Sequence, residues 1–220
     1  MKGVIFGPPG AGKGTQGVFI SNYFSIPLIS TGQIIRDAIK NDSPALKGLK
    51  DMIAKGALVP DHAIIDIAID RISKNDCDSG YLLDGFPRTI DQAKALALLN
   101  IRLDFVLSIE VDSEEIVRRI SGRLYHPSSG RTYHKTDCPP LKEGIDDVTG
   151  EPLITRDDDQ PASIKKRLSV YTEQTEPVLS FYKNDITYRP QFLQVNGMGS
   201  IDLVKNRIQK LLGTHFSSRL

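Results

Sequence analysis

Nine residues near the start of the chain, Gly7-Pro8-Pro9-Gly10-Ala11-Gly12-Lys13-Gly14-Thr15, have types and spacing suited to holding phosphate. The glycines permit backbone conformations closed to other residues, so successive N–H groups can converge on one anion, at the positive end of any helix that follows. Lys13 adds a mobile positive charge for the β and γ phosphates. The spacing from Gly7 to Gly12-Lys13 meets the Walker A pattern, with one departure: Gly14 stands where Ser or Thr is usual, and the hydroxyl comes one residue later, at Thr15. Gly10, Ala11, Gly12, Lys13, Gly14 and Thr15 are therefore expected to cradle the phosphates of a nucleotide.

A loop of this kind acts only between a strand and a helix, and the flanks supply both. The apolar run Val4-Ile5-Phe6 precedes it, and an amphipathic segment is expected to begin near Gln16 and to stop at Pro27. Leu28-Ile29-Ser30 reads as a short strand, and Ser30 or Thr31 caps a helix with Ile34, Ile35, Ala38 and Ile39 on its apolar side and Arg36 on its polar side. A further helix starts at Ser43-Pro44 and ends at Lys55-Gly56; Asp61 caps the next, with Ile64, Ile65, Ala68, Ile69 and Ile72 as its stripe. Tyr81-Leu82-Leu83 is a continuous apolar run, as expected of a parallel strand buried on both faces, and it delivers Asp84 to its carboxyl end. Thr89 caps a helix containing Gln92, and Phe105-Val106-Leu107-Ser108-Ile109 is another strand.

The alternation of strand and helix predicts a doubly wound, P-loop NTPase-type α/β fold: a parallel five-stranded sheet with helices on both faces. Residues 122–159 break the alternation. They are rich in Gly, Pro, Ser, Thr and Asp, with a hairpin turn expected at Ser128-Ser129-Gly130, and so long an excursion containing Arg123, Arg131 and Arg156 is expected to be a lid. A long helix then starts at Pro161 and is interrupted near Pro177; Phe192 to Val195 gives the last strand, Ile201 to Leu211 a closing helix, and Thr214 to Leu220 a frayed tail. The predicted division is a core of 1–29, 60–121 and 160–220, a nucleoside-monophosphate-binding region of 30–59 and a lid of 122–159.

At 220 residues, 40% hydrophobic and 25% charged, the composition is that of an ordinary globular domain. A net charge of +1 leaves no electrostatic footprint for nucleic acid or an anionic membrane, so any cation that matters must be placed locally. Cys77 and Cys138 stand far apart behind a start that runs straight into a strand, which predicts a reducing, cytoplasmic setting. No apolar run reaches the roughly 20 residues needed to span a bilayer.

Taken together, the glycine loop, Ser30-Thr31-Gly32, Asp84-Gly85-Phe86-Pro87-Arg88 with Gln92, and the series Gly122-Arg123, Arg156 to Asp159 and Arg167 resemble adenylate kinases of the long-lid, bacterial type, over nearly the whole chain. The resemblance implies Mg-dependent phosphoryl transfer from ATP to AMP, giving two ADP, by a monomer whose partners are nucleotides. It implies that Lys13 and the loop hold the donor phosphates, that Arg36 and Arg88 hold the AMP phosphate, and that Arg123, Arg156 and Arg167 converge on the transferred group. Arg156 and Arg167 would also touch AMP. Arginine suits all these positions because its planar fork binds phosphate oxygens two at a time.

The resemblance further makes Arg119 the residue that stacks on the adenine of ATP, aided by Thr132, Tyr133 and Gly199, the last standing where a Lys is common. Thr31, Ala57, Leu58, Val59, Gly85, Phe86, Pro87 and Gln92 would line the AMP site, with Gln92 reading the adenine edge. Pyrimidine-accepting relatives carry Asn after Gly-Phe-Pro-Arg, so Thr89 here favours AMP. Asp84, with Thr15, is expected to serve magnesium through water, since that ion keeps much of its hydration shell. Some relatives bind zinc in the lid through four Cys, or three Cys and an Asp; this lid has only Cys138, with His126 and His134 as further candidates, so no zinc is expected. The polar set of metal-free lids matches His126, Ser129, Asp146 and Thr149. Arg71, Arg118 and Arg131 match no motif and are expected to be surface residues. A GTPase-like switch would carry an Asn-Lys-x-Asp stretch, and the sequence has none.

Overall fold

The structure, a computed structural model, describes residues 1–40, 60–185 and 187–217. Its centre is a parallel sheet of β1 (Lys2–Phe6), β2 (Leu28–Ser30), β3 (Tyr81–Asp84), β4 (Phe105–Glu110) and a last strand at Gln191–Asn196, in the spatial order β2, β3, β1, β4, last strand. The apolar runs lie where burial on both faces demands them. Val4 pairs with Leu83 on one side and Val106 on the other, while Ile5 pairs with Leu107. Because successive side chains alternate faces, the sheet feeds two cores. Val4, Phe6, Leu83 and Val106 pack with Phe86, Leu96 and Val178 on one face; Ile5, Leu82, Phe105 and Leu107 pack with Ile20, Val204 and Ile208 on the other. Each such side chain contributes roughly 1.5–3 kcal/mol on full burial, which leaves little freedom in strand register.

Helices α1 (Lys13–Phe24), α2 (Thr31–Lys40), α3 (Asp61–Ile72), α4 (Ile90–Leu98) and α5 (Ser113–Ser121) connect these strands and continue the chain beyond β4. A hairpin of β5 (Arg123–Tyr125) and β6 (Thr132–His134), within the segment expected to be a lid, follows, antiparallel, and its first strand is extended by a bridge from Tyr125 to Ile154. Next come α6 (Pro161–Val170), a π-helical turn at Tyr171–Thr175 and α7 (Glu176–Lys183). The last strand is β7, and α8 (Ile201–Phe216) closes the chain with Ser200 as its cap. Among the described residues no helix is long and apolar enough to cross a membrane.

Four sequence expectations change. The first helix starts at Lys13, three residues earlier than expected, because Gly12 takes the cap position. Asp61 is the first residue of α3, not its cap, which is Pro60. The long helix is interrupted by the π turn ahead of Pro177, which itself sits comfortably in the first turn of α7. The expected frayed tail is helical to Phe216, whose ring packs against Phe24 and Phe105, with centroids 6.3 and 5.7 Å away. The expected helix from Ser43 to Gly56 lies outside the described residues.

Candidate functional site

The glycine loop joins the carboxyl end of β1 to α1. Gly12 has φ 90° and caps the helix without any side chain, and a Cβ there would meet nothing within 4 Å, so there is open space beside the start of the helix. That is the arrangement an anion needs. Lys13 folds back over the loop, its ammonium donating to the carbonyl oxygens of Gly7 at 2.7 Å and Pro8 at 2.9 Å. Burial lowers its pKa to about 8; Asp84 opposes that fall, whereas Arg88, Arg167 and Arg123 reinforce it. Residues from β3, the turn after it, the lid hairpin and α6 thus bear electrostatically on one amine.

The turn after β3 presents Arg88. Gly85, at φ 80°, turns its carbonyl oxygen to accept from the Thr31 hydroxyl at 2.9 Å and from Arg88 Nε at 2.8 Å. The positive φ makes glycine the residue the turn favours, and a Cβ there, 2.8 Å from Arg88 Nη2, would push the guanidinium aside. The Phe86–Pro87 peptide is cis. Arg88 N–H donates to Gln92 Oε1 at 2.7 Å, and Arg88 O accepts from the Thr175 hydroxyl in the π turn at 3.0 Å. Thr31 and Gln92 are both buried, and their polar atoms brace the loop that carries Arg88. Arg36 lies on α2, but its side chain, like Ala57, Leu58 and Val59, falls outside what the structure describes.

The lid-side arginines are held by two carboxylates. Arg123 pairs with Asp159 through both its Nε, at 2.8 Å, and Nη2. Arg156 chelates Asp158 at 2.8 and 2.7 Å, and Arg167 reaches Asp158 at 3.0 Å and Asp159 at 3.2 Å. Burial works against ionisation of Asp158, but Arg167 and Arg156 outweigh it and hold its carboxyl below the ordinary range. Sequence reasoning assigned no role to Asp158 or Asp159; a run of acids directly after Arg156 was the available signal. Lys13, Arg88, Arg123, Arg156 and Arg167 stand against Asp84, Asp158 and Asp159, so five cations less three carboxylates leave two positive charges. Arg156 also lies over the Tyr125 ring, 5.4 Å from its centroid, and the Tyr125 hydroxyl donates to Gln33 Oε1 on α2 at 2.9 Å.

Arg119 is held in α5 by Glu115, 2.7 Å from its Nε, and by the carbonyl oxygen of Gly197 at 2.9 Å; Gly199 O lies 3.5 Å away. Glu115 binds Arg118 as well, which is the largest cause of a pKa lowered to about 2, and Arg118 reaches Asp137 in the lid. Thr132 is exposed, whereas the Tyr133 hydroxyl donates to Asp146 Oδ1 at 3.0 Å.

Asp146 is the centre of a polar cluster within residues 122–159. It accepts from Arg131 at 2.8 and 2.6 Å, from the Thr149 hydroxyl at 2.9 Å and from Thr149 N–H at 2.8 Å. Arg131 first, with those N–H and O–H donors, holds its carboxyl far below the usual range. His126 bridges Ser129 at 2.7 Å and Glu151 at 2.6 Å. The expected polar set is thus in contact, but it includes Arg131, Tyr133 and Glu151, and Arg131 is no mere surface residue. Among the described residues no group of three or more His, Cys, Asp or Glu is arranged to hold a metal.

A cleft of roughly 620 Å³ lies on the other side of Pro8, lined by Ser108, Glu110, Tyr171, Glu173 and Glu176 among others. Its acids are unsuited to phosphate, and none of the five cations lines it. The positive charge gathers instead where the glycine loop, Arg88, Arg123 and Arg167 meet around Lys13. Scanned against known protein families, residues 5–187 match the family described as adenylate kinase. The chain therefore belongs to the adenylate kinase family and is a phosphotransferase acting on nucleoside monophosphates.

Proposed function

We propose that the reaction is the reversible, magnesium-dependent transfer of a phosphoryl group from ATP to AMP, giving two ADP, and that it serves adenine nucleotide balance and AMP salvage. The observation that carries this reading is the gathering of Arg88, Arg123 and Arg167 around the buried Lys13 ammonium. Phosphoryl transfer needs little covalent help from a protein. Alignment of donor and acceptor, with neutralisation of charge on the migrating group, is enough.

Lys13 and the N–H groups from Gly10 to Thr15 would bind the donor phosphates, and Arg88 with Arg36 the acceptor phosphate. Arg123, Arg156 and Arg167 would exchange Asp158 and Asp159 for phosphate oxygens as nucleotides enter. That exchange keeps the arginines aligned and compensated beforehand, so less reorganisation remains for the transition state. Arg119, already fixed by Glu115 and Gly197, would present its flat face to the ATP base near Thr132, Tyr133 and Gly199. Thr31, Gly85, Phe86, Pro87 and Gln92 would form the AMP side, with residues 57–59.

The exposed Thr15 hydroxyl on the first turn of α1 and the Asp84 carboxylate offer the hard oxygen donors that magnesium takes. When bound, that ion neutralises triphosphate charge. We read 122–159 as the lid and 30–59 as the AMP-binding region of a cytoplasmic monomer, attached to the core formed by the rest.

A coupled assay with ATP as donor and AMP, GMP, CMP or UMP as acceptor tests the reading. AMP is expected to be used at least tenfold more efficiently than any other, a discrimination that fixed polar groups in a base pocket can supply. A higher kcat/KM for another monophosphate would overturn it.

A further inference from the structure

The carboxylate of Asp61 serves α4. Its Oδ2 accepts from the Thr89 hydroxyl at 2.7 Å, and its Oδ1 accepts from Gln92 Nε2 at 2.8 Å. The opposite end of the same carboxamide, Oε1, accepts the Arg88 N–H at 2.7 Å. These two partners allow only one orientation of the amide. Turned over, it would set its NH2 against the Arg88 N–H and its oxygen against a carboxylate, both repulsive, at a residue only 4% exposed. Each end of the amide also keeps one further capacity, a lone pair on the oxygen and a hydrogen on the nitrogen.

We propose that Asp61 is a specificity-determining positioning residue: by fixing which end of Gln92 donates and which accepts, it selects an adenine base over guanine. This deepens the reading above and rests on it, since it takes AMP as acceptor and Gln92 as the residue that meets the base. A primary amide can pair with either purine. It offers its oxygen to the adenine amino group and its N–H to adenine N1, or, inverted, its N–H to guanine O6 and its oxygen to guanine N1–H. With the base held in place by the rest of the site, a locked amide satisfies adenine and opposes guanine at both positions. A freely turning amide would serve both. Buried polar groups that cannot adapt are what give a site its power to reject the wrong partner.

The Arg88 N–H and the Asp61 carboxylate enforce the same orientation, but only Asp61 can be changed without altering the backbone. Asp61→Asn is nearly isosteric and can present either a donor or an acceptor to Gln92, which removes one of the two locks. The ratio of kcat/KM for AMP to that for GMP is expected to fall about tenfold, the usual scale of one polar discrimination. The change should appear as a higher KM for AMP and a lower one for GMP, with KM for ATP unchanged. A role in stability alone would depress both acceptors together, leave the ratio as it was and overturn the inference.

Thr89→Val, which releases Oδ2 of Asp61, should shift the ratio the same way by about threefold, as expected of a partial loss of one hydrogen bond. It decides the matter if Asp61→Asn does not fold, and an unchanged ratio there overturns the inference too. Gln92→Leu, measured alongside, separates the two levels. If it leaves the preference for AMP intact, the assignment of Gln92 as base reader fails and the inference with it. If it abolishes the preference while Asp61→Asn and Thr89→Val do not change it, only the inference about Asp61 fails.

Discussion

With its pKa brought down to about 8 by burial and by neighbouring guanidinium groups, Lys13 is poised between charge states at mildly alkaline pH. Between about 8 and the ordinary value of 10.5 the unfolded chain binds a proton that the folded chain does not, so this group alone makes stability rise with pH across that window. A triphosphate reverses the situation, because its charge favours the ammonium form. Binding of ATP at about pH 9, between those two values, should therefore take up a proton, measurable as a dependence of calorimetric binding heat on buffer ionisation enthalpy. Absence of uptake would show that Lys13 does not meet the phosphates. Lys13→Ala and Arg88→Ala should each keep the melting temperature but lower kcat/KM about a thousandfold, the scale of removing a phosphate-directed cation; retention of a tenth of the activity by a folded variant would refute that residue's role. These two residues were legible in the sequence because motif position alone locates them. Asp61, Asp159 and Thr175 were not, since each acts on a group that only folding brings near, and their residue types are common on any surface; Asp158, two residues after Arg156, carried a local signal that the motif reading left unused.

At the scale of elements, the segment we read as the lid is built around a small hairpin with little apolar content, held by one buried carboxylate and its donors. Its hairpin turn was legible from composition, and the set of His126, Ser129, Asp146 and Thr149 followed from the family likeness. Arg131 escaped because nothing in its neighbourhood marks it; only the fold brings it onto Asp146, fifteen residues later. Asp146→Asn should weaken the Arg131 pair and speed hydrogen exchange at Thr149 and Gly150 while leaving β1 and β4 protected, because a structure this lightly packed opens apart from the core. Uniform acceleration through the sheet would contradict a local role. Acid should act in the same direction. Asp137 is held below the ordinary value of 3.8 and Glu115 below 4.5, so their stabilising contribution is complete above those values and is lost as pH falls toward about 2, while that of Asp146, held further down, begins to fall below 3.8 and outlasts them. Lid protection should then decline before the core unfolds. Chelation with EDTA should leave the melting temperature unchanged, and elemental analysis giving near one zinc per chain would contradict a lid held by hydrogen bonds, since a structural metal is coupled to folding.

For the molecule as a whole, the parallel sheet was legible in outline because parallel strands buried on both faces must be short apolar runs separated by helices, and β1, β3 and β4 are such runs; the spatial order of the strands was not. What no local pattern could reveal is how the lid meets α2. Tyr125 begins as a buried residue of β5, stacks under Arg156 and ends with its hydroxyl on Gln33, while Gly130 at the hairpin tip stands against the same Gln33 side chain. This contact spans the gap between the pieces expected to carry the two nucleotides. It is neutral at both ends, so salt should scarcely affect it. Tyr125→Phe removes the hydroxyl but keeps the ring under Arg156, and a single neutral hydrogen bond contributes about 1 kcal/mol, equivalent to roughly a fivefold change in an equilibrium between touching and separated states. Relaxation dispersion at the Gln33 and Gly130 amides should report that larger population of the separated state in the nucleotide-free protein. An unchanged population would mean that Arg156 over the ring, and not the hydroxyl, holds the lid against α2, in which case Arg156→Ala and not Tyr125→Phe would produce the shift.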